Sequence, residues 1–167
     1  MNQTVQVKGL RELRETLLRK IPLEYQGKVL QAALAAGARL TVAQAKSNAP
    51  ELTGRLKRAI YATRDSRNSK TTYEQRVVSV RRGKKQQKNN RDAFYWKFVE
   101  FGHRIVPRAK GQSTRAARKK AAGQVPARPF MRPAFEATKA KAAQVIADRL
   151  KVELDKAAKK AAWNTPR

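Results

Sequence analysis

The side chains able to do chemistry in this chain are few, and most of them are cations. His103 is the one histidine, so a histidine-paired nucleophile or an imidazole metal site would have to be built on it. Cysteine is absent, which removes thiol nucleophiles, disulfides and cysteine-ligated zinc. The twelve carboxylates are scattered, with no acidic cluster able to hold Mg²⁺ for phosphoryl chemistry. No GxxxxGKS or GxxxxGKT phosphate loop occurs. His103, next to Gly102, therefore reads as a surface loop residue. The enzymatic alternative is a metal-independent ribonuclease working with His, Arg and Tyr. The expectation is no catalytic residue, no metal and no cofactor.

What the sequence does hold is positive charge. Thirty-nine Lys and Arg against twelve Asp and Glu give a net charge of +27. A compact domain so charged repels itself, and an anionic partner relieves the repulsion. The cations gather in two segments. Arg81, Arg82, Lys84, Lys85, Lys88 and Arg91 form the first. Arg104, Arg108, Lys110, Arg115, Arg118, Lys119, Lys120, Arg128 and Arg132 form the second, and no Asp or Glu stands between Arg104 and Arg132. Three readings stay open for them: phosphates of a nucleic acid, acidic side chains of a partner protein, or a solvated face. Flexible Lys and Arg neutralise phosphates without reading bases, and no zinc finger or RNP motif accompanies them. Sequence-independent contact with nucleic acid is the favoured reading. The aromatic run Phe94, Tyr95, Trp96, Phe98 and Phe101 could stack single-stranded bases. At this spacing it reads instead as core and interface.

These residues need a scaffold, and 167 residues suffice for one domain with one modest core. Apolar residues make up 41%, which argues against wholesale disorder. Much of that share is alanine, so the core should be thin and neighbouring subunits should complete it. Val5 and Val7 alternate with polar residues as in a short edge strand. A helix over 9–20 carries Leu10, Leu13, Leu17 and Leu18 on one face, and Pro22 breaks it. A long helix over 23–48 follows, with small residues along Leu30, Ala33, Leu34, Gly37, Leu40 and Thr41. That face suits a sheet, a neighbouring subunit or simple core packing, and Ala49-Pro50 ends the helix. Thr53-Gly54 reads as a turn or cap, a strand lies around Ile60 and Tyr61, and a second, antiparallel strand lies within 73–82. Pro133 opens a last helix whose face is marked by Phe135, Ala142, Val145, Ile146, Leu150 and Leu154 and which runs to about Ala162.

The reading is α+β: a small antiparallel sheet packed by a long helix of the N-terminal half and a C-terminal helix, with long basic loops. It is a single domain over 1–167, with its core at about 5–162 and basic loops at 81–92 and 104–124. The N-terminal MNQTVQVKGL lacks the apolar centre of a secretion signal, and no stretch approaches eighteen uncharged apolar residues. The expectation is a soluble protein made in the cytoplasm, with no membrane contact.

Five short blocks carry a resemblance. Val7-Lys8-Gly9-Leu10 stands before the leucine helix, and Ala45-Lys46-Ser47-Asn48-Ala49-Pro50 precedes Leu52-Thr53-Gly54-Arg55-Leu56. Phe98-Val99-Glu100-Phe101-Gly102 comes next, and Val125 to Phe135 (VPARPFMRPAF) is last. In this order, over roughly 5–140, they resemble the head–tail joining, or tail-completion, proteins of long-tailed lambdoid-type phages. The resemblance implies a non-catalytic structural protein of the virion neck or tail, assembled in the host cytoplasm. It implies a ring of identical subunits, usually six, that links the tail to the head connector around double-stranded DNA. Its partners would be other neck and tail proteins. Structural or interface roles fall to Phe98, Phe101, Gly102, Pro129, Phe130, Pro133 and Phe135, with Phe130 and Phe135 as anchors of the last helix. His103 stands where members commonly have Thr or Ser, and 106–124 is a longer basic insertion than the resemblance leads one to expect. The rival reading is a sequence-independent nucleic-acid-binding protein acting as a monomer or dimer.

Overall fold

A computed structural model describes residues 9–70, 73–83, 92–105 and 123–163. The strand expected around Val5 and Val7 lies outside them. Helix α1 (Leu10–Lys20) starts after Gly9, whose φ of 81° suits glycine. Leu13 and Leu17 are buried, whereas Leu18, expected on the same face, is 49% exposed. One residue turns an α-helix by about 100°, which carries Leu18 off the stripe. Ile21 is extended (φ −109°, ψ 123°), as the residue before Pro22 must be, and its own side chain is buried.

Helix α2 (Leu23–Asn48) runs until Ala49, which turns extended ahead of Pro50. It packs lengthwise on the last helix of the chain, α5 (Met131–Trp163). The pair is antiparallel: Thr41 Oγ1 and Thr138 Oγ1 are hydrogen-bonded at 3.0 Å, and the Lys160 ammonium sits 5.6 Å from the centre of the Tyr25 ring. The small-residue face of α2 is therefore used within the chain, against this last helix. Gly37 shows why it is small. A Cβ there would lie 2.5 Å from Ile146 Cγ1 and 3.1 Å from the Ala142 carbonyl oxygen. Gly37→Val should push the helices apart and destabilise the fold by about 1–3 kcal/mol, the usual range for overpacking. A urea midpoint equal to that of the parent would show that Ile146 simply swings aside.

Short helix α3 (Arg55–Ala59) leads into strand β1 (Ile60–Arg64), which pairs antiparallel with β2 (Arg76–Val80), Ile60 opposite Val80 and Arg64 opposite Arg76. Two strands alone are marginal in water, so this hairpin depends on what it packs against. Leu56, Ala59, Ile60 and Val80 bury against Ala45 and Ala49 of α2 and against Phe130 and Ala134. Helix α4 (Trp96–Phe101) and a two-residue ladder of β3 (His103–Arg104) with β4 (Gln124–Val125) complete the described elements. The architecture is α+β, as the periodicity implied. Burial differs from expectation in one respect. The buried side chains form two clusters, one beside the hairpin and one where α1 covers Val29, Ala33, Leu150 and Leu154. Both hang on the α2–α5 pair. Among the described residues, eight of the eighteen buried apolar side chains are alanine, and that lets the helices approach closely over a thin core.

Candidate docking groove and basic necks

The aromatic run and the proline-rich block meet at one carboxylate. Glu100, on α4, is 5% exposed and receives three backbone hydrogen bonds. The N–H groups of Phe130 and Met131 donate to its Oε2 at 2.8 and 3.0 Å, and that of Arg132 donates to Oε1 at 3.0 Å. Those groups open α5, where the first N–H groups of a helix have no partner within it. The next residue is Pro133, which has no N–H to satisfy. Pro133 is thus the third residue of the helix, not the first as its preference for that place suggested. One anion satisfies the whole helix start and sits where the helix dipole favours negative charge. The rest of the junction is backbone. Arg128 N–H donates to the Val99 carbonyl at 2.8 Å. Gly102 has φ 70° and ψ 173°, and a Cβ on it would stand 2.6 Å from the Val125 carbonyl oxygen. Only glycine fits there.

Of the anchors expected in this block, Phe130 is fully buried, whereas Phe135 is 57% exposed and anchors nothing within the chain. Pro129 is exposed as well. The aromatic run divides in the same way. Tyr95 and Trp96 pack against the hairpin core, while Phe94, Phe98 and Phe101 stand half or more exposed. The Phe98 ring tilts against the His103 ring at 5.2 Å, and His103 is exposed. Among the described residues no group of His, Asp and Glu could hold a metal ion.

The two basic segments leave the fold through hydrogen-bonded necks. Ala93 N–H donates to the Arg81 carbonyl at 3.0 Å, and Gly83 N–H donates to the Asp92 carboxylate at 2.8 Å. These bonds draw together the two ends of 84–91. Ile105 N–H donates to the Gly123 carbonyl at 3.1 Å beyond the β3–β4 ladder, which does the same for the ends of 106–122. One neck precedes α4 and the other follows it, and six residues of helix span about 9 Å. Of the cations proposed to meet phosphates, Arg81, Arg82, Arg104, Arg128 and Arg132 are described, and the last three are exposed. Arg81 lies 4.6 Å over the Tyr61 ring, so its charge is partly engaged within the chain, while Arg82 is exposed. Lys84, Lys85, Lys88, Arg91, Arg108, Lys110, Arg115, Arg118, Lys119 and Lys120 lie outside the described residues.

Between the α2–α5 pair and β2 with α4 runs an apolar groove of about 590 Å³, floored by Leu34, Val78, Trp96 and Met131. Phe101 and Phe135 stand at its lip, and Arg76 and Arg132 are its cations. Sequence reasoning missed this groove because it is made by helices and strands distant in the chain. It also missed the Glu100 cap, for which there was a signal: one acid inside an apolar run, ahead of a proline-spaced block.

At the opposite end of the hairpin, the Arg64 Nε donates to Glu74 Oε2 at 2.9 Å, and Gln31 Nε2 donates to Oε1 at 3.0 Å. The Arg64 hydrogen bonds hold the Glu74 carboxyl below the usual carboxylate range, against the opposing effect of desolvation. A lowered folded value means that the stabilisation is complete above the ordinary Glu value of about 4.3 and fades as pH falls through the lower one. Glu74→Gln should therefore matter near neutrality and lose its effect in acid. Thermal melts of both proteins from pH 7 down to about 2.5 should converge at the acid end. A gap independent of pH would show that the charge contributes nothing.

A family model for bacteriophage HK97-gp10, a tail component, matches residues 16–102, just over half of the chain. The chain belongs to this tail-component family. Neither curated proteins nor solved structures gave a match. The matched stretch of this tail component takes in the last five residues of α1, then α2, the hairpin and α4, and ends on Gly102. It thus includes Glu100, while α5, which Glu100 caps, lies beyond it. Membership makes the protein a structural component of the virion tail, with other phage tail proteins as its neighbours. No helix among the described residues is long and apolar enough to cross a membrane.

Proposed function

We propose that this tail component is a non-catalytic tail-completion, or head–tail joining, subunit. It acts as a single unit in a ring of six copies that links the tail to the head connector around the DNA channel. The observation that carries the proposal is the pair of closed necks. They bring the ends of 84–91 together before one short helix and the ends of 106–122 together after it, which supports two acid-free basic segments presented toward the lumen and toward the next ring. One segment, 81–91 or 104–120, lines the channel, and the other grips a neighbouring ring. The small-residue face of α2 lends no support, because Ala33 and Gly37, at its centre, are buried by packing within the chain. Support for assembly rests instead on family membership and on the thin core.

The test has two arms. Light scattering and negative-stain imaging of purified tails should show closed rings, and loss of the protein should leave filled heads beside unjoined tails. The isolated protein should bind double-stranded DNA without sequence preference, with an affinity that falls steeply as salt rises because phosphate contacts release counterions. Replacing Lys84, Lys85 and Lys88 with Gln should lower the logarithmic salt slope by up to about 0.9 for each phosphate no longer neutralised. A monomer in purified tails would end the ring reading. No DNA binding at low salt would assign the basic segments to acidic neck or tail proteins instead.

A further inference from the structure

We infer that the groove between the α2–α5 pair and β2–α4 is a docking site for an acidic, apolar peptide segment of a partner protein. This goes beyond the ring and does not depend on it, and of the cations in the two basic segments it uses Arg132 alone. The floor is aliphatic and aromatic, and Phe101 and Phe135 stand 60% and 57% exposed at the lip. An exposed apolar patch of this kind on a highly charged protein marks an interaction site. Aromatic side chains beside arginine are the usual composition of a binding hot spot.

The polar groups narrow the choice of occupant. The Thr41 hydroxyl is engaged with Thr138, and both Glu100 oxygens are taken up by the start of α5. What remains for a ligand is two guanidiniums, those of Arg76 and Arg132, and neither has an acidic partner among the described residues. A guanidinium presents a planar fork of donors that fits a carboxylate. The groove therefore suits apolar side chains flanked by acids.

A second copy of this chain fits poorly. It would bring another +27, and its acids are largely committed already. Glu51, Glu74, Glu136 and Glu153 are ion-paired with Lys57, Arg64, Lys139 and Arg149. Asp65 and Asp92 accept backbone N–H groups, and Glu100 caps α5. The charge of the groove and the inventory of the chain both point to a different, acidic protein.

The experiment uses the full chain and a fluorescein-labelled peptide of six Leu-Glu repeats, read by anisotropy. Six Ser-Glu repeats control for charge and six Leu-Lys repeats for apolarity. The Leu-Glu peptide should bind at least tenfold tighter than the Ser-Glu peptide, and the Leu-Lys peptide should not bind. Phe101→Ser with Phe135→Ser should weaken Leu-Glu binding tenfold or more. Arg76→Gln with Arg132→Gln should weaken it severalfold, whereas Arg14→Gln with Lys151→Gln, on exposed faces elsewhere, should not. Because Phe101 and Phe135 are exposed, the urea midpoint should be kept in their variant. Equal binding of the Leu-Glu and Ser-Glu peptides, or indifference to the Phe changes, would overturn the inference. So would loss of self-association in Phe135→Ser with peptide binding unchanged, since the occupant would then be a second copy. Rings in purified tails and DNA binding test the proposed function separately.

Discussion

Phe130→Ala should destabilise the protein by about 3–5 kcal/mol, the range for emptying a fully buried aromatic site. Among the described residues Phe130 is the largest fully buried side chain, at 0% exposure. Its neighbours in the cluster include Ala45, Ala49, Ala59, Ala93 and Ala134, short side chains that cannot lean in to fill the space. The cavity should therefore persist, and the loss should fall toward the upper end of the range. For a chain of this size, each kcal/mol lowers the melting temperature by roughly 2–4 °C, so the expected fall is roughly 6–20 °C. Phe135→Ala supplies the contrast. At 57% exposure it should stay within about 1 kcal/mol of the parent. Equal melting temperatures for the two variants would mean that Phe130 does not hold the hairpin cluster together.

That contrast marks where sequence reasoning runs out. Phe130 and Phe135 are alike in type and lie five positions apart, in a block that reads as anchoring throughout. Five helical residues turn the chain by about 500°, so two such side chains cannot share a face. Which of them is buried depends on where α5 starts, and the groups at that start are held by Glu100, thirty residues earlier. The elements themselves were readable because their signals are local. Pro22 and Pro50 end α1 and α2 by restricting the residue before them. The alternation around Val78 and Val80 marks β2. The use of the small-residue face of α2 was not readable, since Gly37 and Ile146 meet only through tertiary packing. For the same reason the groove left no trace in any single stretch. Membership in a tail-component family followed from the order of the blocks, which local pattern does preserve.

The Glu100 carboxylate should prove almost as important to stability as the Phe130 ring, although its role is polar. Glu100→Ala strands the N–H groups of Phe130, Met131 and Arg132. A buried donor left without a partner costs about 1–3 kcal/mol. The Phe130 bond is buried, and the other two are partly buried, so water can reach some of what is lost. A total of about 3 kcal/mol is expected, with the anion's favourable place at the helix start included. Glu100→Gln keeps one acceptor oxygen and should lose less than Glu100→Ala. Each variant's midpoint in urea should fall while the slope of the transition is unchanged, because the surface exposed on unfolding is the same. The Leu-Glu peptide adds a second readout. Losing the cap frees the start of α5, whose first five residues bring Met131, Arg132 and Phe135 to the groove, so peptide affinity should drop together with stability. If Glu100→Ala matches the parent in urea, other groups satisfy the start of α5, and the carboxylate is not what joins the two halves of this fold.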